Sequence, residues 1–550
     1  MKERQSLVFK FASEDWEFEA IHRLNYKTFV EEIPQHERSP SQRLVDKFHS
    51  ENTYLICLCD RELVGMLAVR GKRPFSLDQK LPNLDSYLPP GRHICEVRLL
   101  AIEKKYRGMR GGQILTGLLA LLWQHGIEKS YDLAIISGTT RQQKLYQHLG
   151  FVPFGPLVGS GEALFQPMYI SLETFEARAG EFLRGAPTRS FHTPPVNFLP
   201  GPVAVRPEVR RAFEQLPTSH RSPVFINDFY TTKERLCGLT RAAECQILMG
   251  SGTLANDAVG GQLFLEGGRG LVLNNGEFGT RLVDHARRWG LDFEVYEAPW
   301  GAPFNLSAVR HRIENTSSLI WVWAVHCETS TGVLNDLEAL KALCAKLGLK
   351  LCMDCISSLG TVYVDLNGVY LATGTSGKGM GSYPGLCMVF HHHELRPAPD
   401  SLPRYLDLGY YAVQNGVPFT FNSNLLYALR AAIWDAEWER RFAQIAKMGA
   451  ELRRRLREAG FQLLAPDSVA APAVVTVVLP PDISSVELGC RVEEKGFLLN
   501  YNSEYLQRRN WIQIALMGEC DWEKIIPLIN VLKYVAFHTT GVRRPSLEVG

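Results

Sequence analysis

Residues 371–385 read LATGTSGKGMGSYPG. Lys378 stands there among glycine, serine and threonine, just past an apolar run, where a helix-capping role would be odd. Taken alone, a surface lysine would read the same way. A lysine withdrawn from water, however, loses part of its preference for the charged form, and its amine can form a Schiff base with an aldehyde. Pyridoxal phosphate is the aldehyde cofactor that uses such a lysine, and it needs an acidic partner for its ring nitrogen and a cup for its phosphate. Both occur upstream. Asp354 ends the apolar run LKLCMD (349–354), where it could keep a pyridine nitrogen protonated. In MGSGTLANDAVGGQLF (249–264), Ser251, Gly252 and Thr253 open a helix-like stretch, and the orphan amides at a helix start attract an anion.

Working outward, apolar runs recur as GLVLNN (270–275), SLIWVWAV (318–325) and LKLCMD, each alternating with helix-like sequence. Continuous apolar strands of this kind are covered on both faces, as in parallel α/β sheets. Trp321 and Trp323 alternate with Val322 and fill a core. The clearest break in the chain lies at 171–197, where a charged helix-like stretch passes into Pro, Thr and Ser with Pro194 and Pro195 adjacent. Paired prolines cannot continue a helix and favour an extended connector. Ahead of that break, 54–60 and 63–70 read as a hairpin-like pair, with further strands at 94–102 and 131–138.

The chain has 550 residues, 45% hydrophobic and 21% charged, with 60 Lys and Arg against 58 Asp and Glu. That is a globular composition with length for about three or four folding units, and the net charge of +2 supports no nucleic-acid or anionic-membrane partner. Its 12 scattered cysteines make no disulfide framework, which points to reduced thiols. The beginning, MKERQSLVFKFASEDWEFEA, lacks an apolar leader, and the longest apolar stretch, 114–123, falls short of a membrane span. A cytoplasmic protein is expected.

Behind the break, seven pieces follow in order: FLPGP, SHRSP, GSGTLAND, NNGEFGTRL, HCETSTGVLND, MDCISSLG and TSGKGMGSYPG. The series resembles the class V aminotransferases of fold type I, most of all the 2-aminoethylphosphonate and alanine–glyoxylate or serine–glyoxylate group. The resemblance implies that Lys378 is the Schiff-base lysine and general acid/base, that Asp354 contacts the ring nitrogen, and that Phe278 stacks on the ring. It further implies that Thr329 touches the cofactor, that Gly252, Thr253 and Ser376 hold the phosphate, and that Thr420, in PFTFNSN (418–424), reaches the cofactor of a second subunit in a homodimer.

In front, EVRLLAIEKKYRGMRGGQILTGLLALLWQHG (96–126) places a strand, a basic glycine-rich turn and a long helix in order. Amides between Arg107 and Gln113 would converge at the helix start, Arg107 and Arg110 add charge, and Gly108, Gly111 and Gly112 admit a close backbone approach, which suits a pyrophosphate. With TTRQQKLYQHLGFVPFG (139–155), the segment resembles the GNAT acyltransferases. The resemblance implies CoA pyrophosphate binding by Arg107, Gly112 and the amides between them, and a Tyr146 that protonates the departing thiolate. Arg110 departs from the pattern, standing where that family usually has a glycine. Glu96 is a candidate base for the accepting amine, or a strand-end carboxylate in solvent. HRLNYKTFVEEIPQHE (22–37) is similar to the start of N-acyl amino acid and acyl-homoserine-lactone synthases, which can take acyl chains from a carrier protein, so the donor is acyl-CoA or an acyl carrier protein.

The expected organisation is therefore α/β throughout. Residues 1–175 form a GNAT-like mixed α/β domain, 176–197 a linker, 198–440 a large parallel-sheet domain for pyridoxal phosphate, and 441–540 a small C-terminal α/β domain. Cys352 and Cys355 face opposite sides of a strand and make no metal pair; His391, His392 and His393 read as a solvated turn, and His326 as either a substrate-orienting or a structural residue. One departure bears on substrate. Keto-acid-using members of the resembled family carry a carboxylate-gripping arginine in a segment like WIQIALMGE (511–519), and here Gln513 takes that place. Either Arg508 or Arg509 substitutes for it, or the substrate is not an ordinary α-amino or α-keto acid. The expected function is an aminotransferase joined to an N-acyltransferase, acting on small amines and keto acids or aldehydes; a lyase or decarboxylase, or an acyl-CoA-sensing front domain, is the alternative.

Overall fold

Apolar runs of the back portion pair into one sheet in the computed structural model, which describes residues 7–33, 36–108, 111–160, 163–184, 195–434, 436–519 and 522–538. The chain divides into two compact units: a front one of residues 1–195 with 494–496 and 526–534, and a back one containing the rest.

In the front unit, β1 (Leu7–Phe11), β2 (Thr53–Cys59), β3 (Glu62–Arg70), β4 (Ile94–Ile102), β5 (Leu133–Thr139), β6 (Val152–Pro153), β7 (Val158–Ser160) and β8 (Ala163–Ser171) form one sheet. Its order is β1-β2-β3-β4-β5-β8-β6, with β7 also on β8. Alternation along the strands divides their side chains between two cores. Leu55, Cys57 and Leu67 pack with Ile114 and Leu118 of helix α2 (Gly111–Glu128), while Tyr54, Ile56 and Met66 pack with Ile21 and Leu24 of helix α1 (Asp15–Tyr26). Asp60 and Arg61 join β2 to β3 with φ of 49° and 65°. Both are left-handed, as the twist of a two-residue hairpin demands. Only β4 and β5 run parallel, and they pair solely at Ile94–Leu133, Cys95–Ala134 and Glu96–Ile135. Beyond Glu96 the two strands part, and β4 bulges against β3 near Leu99, whose φ is 55°.

In the back unit, β9 (Glu244–Gly250), β10 (Arg269–Asn274), β11 (Asp292–Glu297), β12 (Leu319–Val325), β13 (Lys350–Asp354), β14 (Leu371–Thr375) and β15 (Gly385–His391) pair in the order β9-β15-β14-β13-β12-β10-β11. Both faces are covered. Trp321, Trp323 and Cys352 enter one core, and Val322, Ala324, Leu351, Met353 and Cys355 enter the other. Trp321 lies over the place where a Cβ on Gly270, its neighbour on β10, would stand 2.1 Å from the indole. The sheet is parallel except at β15, which runs antiparallel to β14 and β9. Its link to β14, residues 376–384, is too short for the helical crossover a parallel connection needs. Lys378 sits in that link. A three-stranded antiparallel sheet of β16 (Gln462–Leu463), β17 (Val474–Val478) and β18 (Trp511–Ala515) follows in the same unit. Among the described residues, no helix is long and apolar enough to cross a membrane.

Candidate active site

The C-terminal ends of β12 and β13, the β14–β15 link and the start of helix α3 (Gly252–Glu266) surround a cavity of about 740 Å³ in the back unit. Lys378 extends into it, its amine buried and donating to Ser357 Oγ at 2.9 Å. Thr329 Oγ1 donates to the same hydroxyl at 2.5 Å. Burial lowers the Lys378 pKa, and the charge of Asp354 opposes that shift. Asp354 ends β13 at the cavity wall; its Oδ2 accepts from Asn256 Nδ2 and its Oδ1 from the Ile356 amide, both at 2.9 Å. Burial pushes its carboxyl upward, while those bonds and Lys378 pull it down. Ser251, Gly252 and Thr253 line the cavity at the start of α3, where no side chain caps the helix. Orphan amides at such a helix start attract an anion. Phe278 lies opposite, its ring centroid 5.1 Å from Lys378 Nζ.

Phe278 owes its position to a buried carboxylate. Glu328, fully buried, accepts from the amides of Phe278 at 3.3 Å and Gly279 at 3.0 Å, and from Ser330 Oγ at 2.5 Å. Those amides open helix α4 (Glu277–Arg288). Gly276 leaves the room for it: a Cβ there would meet Glu328 Cδ at 2.4 Å.

Three expectations need correction here. Ser376 does not line the cavity; its hydroxyl is turned inward, donating to the Tyr383 carbonyl at 2.6 Å and accepting from the Leu386 amide at 3.2 Å. Thr375 and Gly377 line the cavity on either side of it. Neither Arg508 nor Arg509 takes over from Gln513. Arg508 is exposed and paired with Glu504, Arg509 stacks on Trp300 at 3.7 Å, and neither lines the cavity. Gln513 is itself wholly buried. Thr420 is exposed and stands away from this chain's cavity. His326 is buried and bonded to Ser358 Oγ at 3.0 Å, and burial drives its pKa down to about 4. His391 is not in a solvated turn: it ends β15, buried, with its ring against Gln246 and the His393 carbonyl. Asn256, Ser357, Arg281 and Tyr505 also belong to the cavity lining. Asn256 and Ser357 lay inside motifs already quoted, but nothing in their spacing distinguished them from their neighbours.

In the front unit, Glu96 is neither at a solvated strand end nor free. It is fully buried, and its oxygens accept from the Ser76 amide at 2.7 Å, Ser76 Oγ at 2.5 Å and the Leu77 amide at 3.1 Å. Arg98, two residues on, keeps to the same side of β4 and is held by Asp46 at 2.8 and 3.0 Å. The guanidinium groups of Arg70 and Arg98 lie over the Phe48 ring, 3.9 and 4.9 Å from its centroid. This cluster beside the β4–β5 parting went unread in the sequence, although the Glu96–Arg98 spacing on one strand was its available signal. Arg107 is engaged by Glu32 and by the Ile102 carbonyl at 2.6 Å. Gly112 has open space where a Cβ would be. Arg110 lies outside the described residues. Tyr146 packs against Gly138 and donates to Gln142 Oε1 at 3.2 Å; burial raises its pKa.

Residues 20–167 match the family described as N-acyl amino acid synthase FeeM. The back portion is similar to the soluble hydrogenase small subunit of a Synechococcus species, 33% identical over 305 residues, covering 52% of this chain and 78% of that one. It is also similar to the 2-aminoethylphosphonate–pyruvate transaminase of Pseudomonas aeruginosa, 30% identical over 329 residues, covering 56% of this chain and 86% of that one. Among solved structures, the alanine–glyoxylate aminotransferase of a Nostoc species matches with a TM-score of 0.57 and 28% identity over 62% of this chain and 95% of that one. The subgroup IV aspartate aminotransferase of Thermus thermophilus matches with a TM-score of 0.57 and 27% identity over 62% and 98%.

Proposed function

Because the chain belongs, through its back portion, to the class V, fold type I aminotransferases that use pyridoxal phosphate, and carries in front a domain of the N-acyl amino acid synthase kind, we propose a bifunctional enzyme. Its back site exchanges the nitrogen of a small primary amine with a carbonyl partner, and its front site acylates an amine from acyl-CoA or an acyl carrier protein. Tethering gives the second site a high effective concentration of the first site's product, which suits consecutive steps on one molecule.

The observation that carries this reading is Lys378: an amine buried in a cavity it shares with a buried carboxylate, an uncapped helix start and an aromatic ring. That donor set fits pyridoxal phosphate. When bound, the cofactor supplies an aldehyde carbon for the substrate nitrogen and a protonated ring that withdraws electron density from the neighbouring carbon. Asp354 holds the proton on the ring nitrogen, and Asn256 and the Ile356 amide hold Asp354. The amides at Gly252 and Thr253, with the Ser251 hydroxyl, bind the phosphate. Lys378 Nζ removes the proton from the substrate carbon and returns one to the adjacent position; its lowered pKa leaves the amine neutral more readily than a solvated lysine. Phe278 covers one side and excludes water.

In the front unit, the amide-rich start of α2 receives the pyrophosphate of the acyl donor, and Tyr146 hands its phenolic proton to the leaving thiolate. Arg107 would have to exchange Glu32 for the donor. The exposed Thr420 fits the completion of the cofactor site by a second copy in a homodimer.

Borohydride reduction followed by peptide mass analysis tests the back site. A pyridoxyl group on Lys378 is expected, and a tag on another lysine, or none, overturns the assignment. Mass detection of N-acylated products from an amine panel tests the front site. A lyase or decarboxylase on the same scaffold, for which the neutral Gln513 speaks, is distinguished by whether carbonyl-dependent amine exchange occurs.

A further inference from the structure

Cations are distributed unevenly around the Lys378 cavity, and that distribution bears on what the site can hold. Resting on the pyridoxal phosphate reading above, we propose that neither the amine nor its carbonyl partner bears a carboxylate on the carbon that exchanges nitrogen. The anionic group lies further along the substrate chain, and Arg281 holds it there.

The wall formed by residues 500–505 is neutral and already internally bonded. Behind it, the two N–H groups of Gln513 Nε2 are shared among the Thr329 carbonyl at 2.5 Å, the Ser330 carbonyl at 3.1 Å and Thr476 Oγ1 at 3.0 Å. Gln513 Oε1 accepts from Asn500 Nδ2 and from the Tyr505 hydroxyl, both at 2.9 Å. A side-chain amide has two donors and one oxygen with two lone pairs, so these contacts use it fully. In front of it, Asn500, Ser503 and Tyr505 face the cavity. One of the two Asn500 N–H donors and the Tyr505 proton are spent on Gln513, and Ser503 Oγ donates to Asn500 Oδ1 at 3.1 Å. Among the described residues of this chain, a carboxylate against this wall meets no cation and little donor capacity. It would bind about 10- to 100-fold more weakly than one held by an arginine.

The cavity's charged lining consists of Asp354, Lys378, His285 and Arg281. Asp354 repels an anion, Lys378 is committed to the exchanging nitrogen, and His285 Nδ1 is held by Asp257 Oδ1 at 2.6 Å. Arg281 differs from these. It lies one helical turn beyond Phe278, with its guanidinium carbon 4.9 Å from the ring centroid that Lys378 also approaches. Its Nε donates to Glu277 Oε1 at 3.1 Å, while Nη1 and Nη2 make no hydrogen bond among the described residues. Two parallel donors of this kind suit a carboxylate, sulfonate or phosphonate oxygen pair. The side chain is 53% exposed, so a ligand can reach it. Amine and carbonyl partners share the site, so the donor leaves as an aldehyde, the acceptor leaves as an amine, and no oxidant is consumed.

The test uses the full chain loaded with pyridoxal phosphate. Borohydride tagging of Lys378 comes first, and its failure would count against the cofactor reading alone. With the tag established, β-alanine, 4-aminobutyrate, 2-aminoethylphosphonate and L-alanine are each mixed with the protein without an acceptor, and loss of the bound aldehyde's absorbance is followed. At least one of the first three should convert the cofactor about 10-fold or more faster than L-alanine. Succinic semialdehyde should restore the absorbance faster than pyruvate. R281Q should raise the half-saturating concentration of the preferred amine about 10- to 100-fold, with R281K intermediate. A readout free of turnover is isothermal titration with ethylphosphonate, whose affinity should drop in R281Q while the Lys378 tag persists. L-alanine converting as fast as the others, none of the three converting, pyruvate outpacing the semialdehyde, or R281Q keeping the parent affinities would each overturn the proposal.

Discussion

His326 is a histidine that the folded chain will not let ionise. Buried against Ser358, it has a pKa driven down to about 4, whereas in the unfolded chain it titrates near the ordinary histidine value. Above that ordinary value both states are neutral and the stability contribution is complete. As the pH falls toward 4, the unfolded chain takes up a proton that the folded chain refuses, and stability is lost. The loss from this residue is about 2 kcal/mol between pH 7 and pH 5. His326→Gln should flatten the fall of the urea midpoint of the back unit over that range, leaving the part due to His391, which burial also lowers to about 4. Glu96→Gln belongs to the same scale. The substitution removes the charge from three hydrogen bonds and turns a donor toward Ser76, so calorimetry should show the front unit destabilised by about 2–4 kcal/mol. A variant with an unchanged melting temperature and only a shifted pH profile of acylation would return Glu96 to the role of base. Lys378 and Asp354 were legible because each ends or follows an apolar strand with a chemistry-bearing side chain. Ser376 misled because side chains alternate past a strand end, and Thr375 and Gly377 face the cavity while Ser376 faces in.

At the scale of elements, helix α4 carries both Phe278 and Arg281, and its first turn is held by a carboxylate from the chain after β12. Gly276→Ala would drive a methyl into Glu328 and Ser330, which are fully buried and cannot withdraw. The expected result is a loss of about 2–3 kcal/mol in stability. A rise of about 10-fold or more in the pyridoxal phosphate concentration needed to load the apo protein should accompany it, because the ring's cover moves with the helix start. Unchanged loading would show that Glu328 does not set that helix. Strand positions in the back unit were readable from continuous apolar runs. Direction was not, because the residues of β15 look the same run either way; only the shortness of the 376–384 link decides it. In the front unit the β2–β3 hairpin was visible, but its left-handed turn uses Asp60 and Arg61 without the glycine that would have announced it.

For the whole molecule, two units carrying two separate chemistries predict separable losses. Lys378→Ala should abolish amine exchange by at least about 10³-fold and leave acylation of a supplied amine within about threefold of the parent. Tyr146→Phe should do the reverse, lowering acylation about 10²-fold with the pyridoxyl tag on Lys378 intact. Loss of both activities in either variant would show that the units are not independent.

The lining of the Lys378 cavity is drawn from residues as far apart as Leu199 and Tyr505, whereas every described strand of the front sheet lies within the first 171 residues. On a ribosome the front sheet and this cavity are completed at very different moments. The front sheet's strands have all emerged before any of the cavity's lining is synthesised. The vitamin-binding chamber lacks a wall until the chain has grown past Tyr505. A translation product truncated ahead of residue 500 should therefore carry no pyridoxyl label, however much of the seven-stranded sheet it contains.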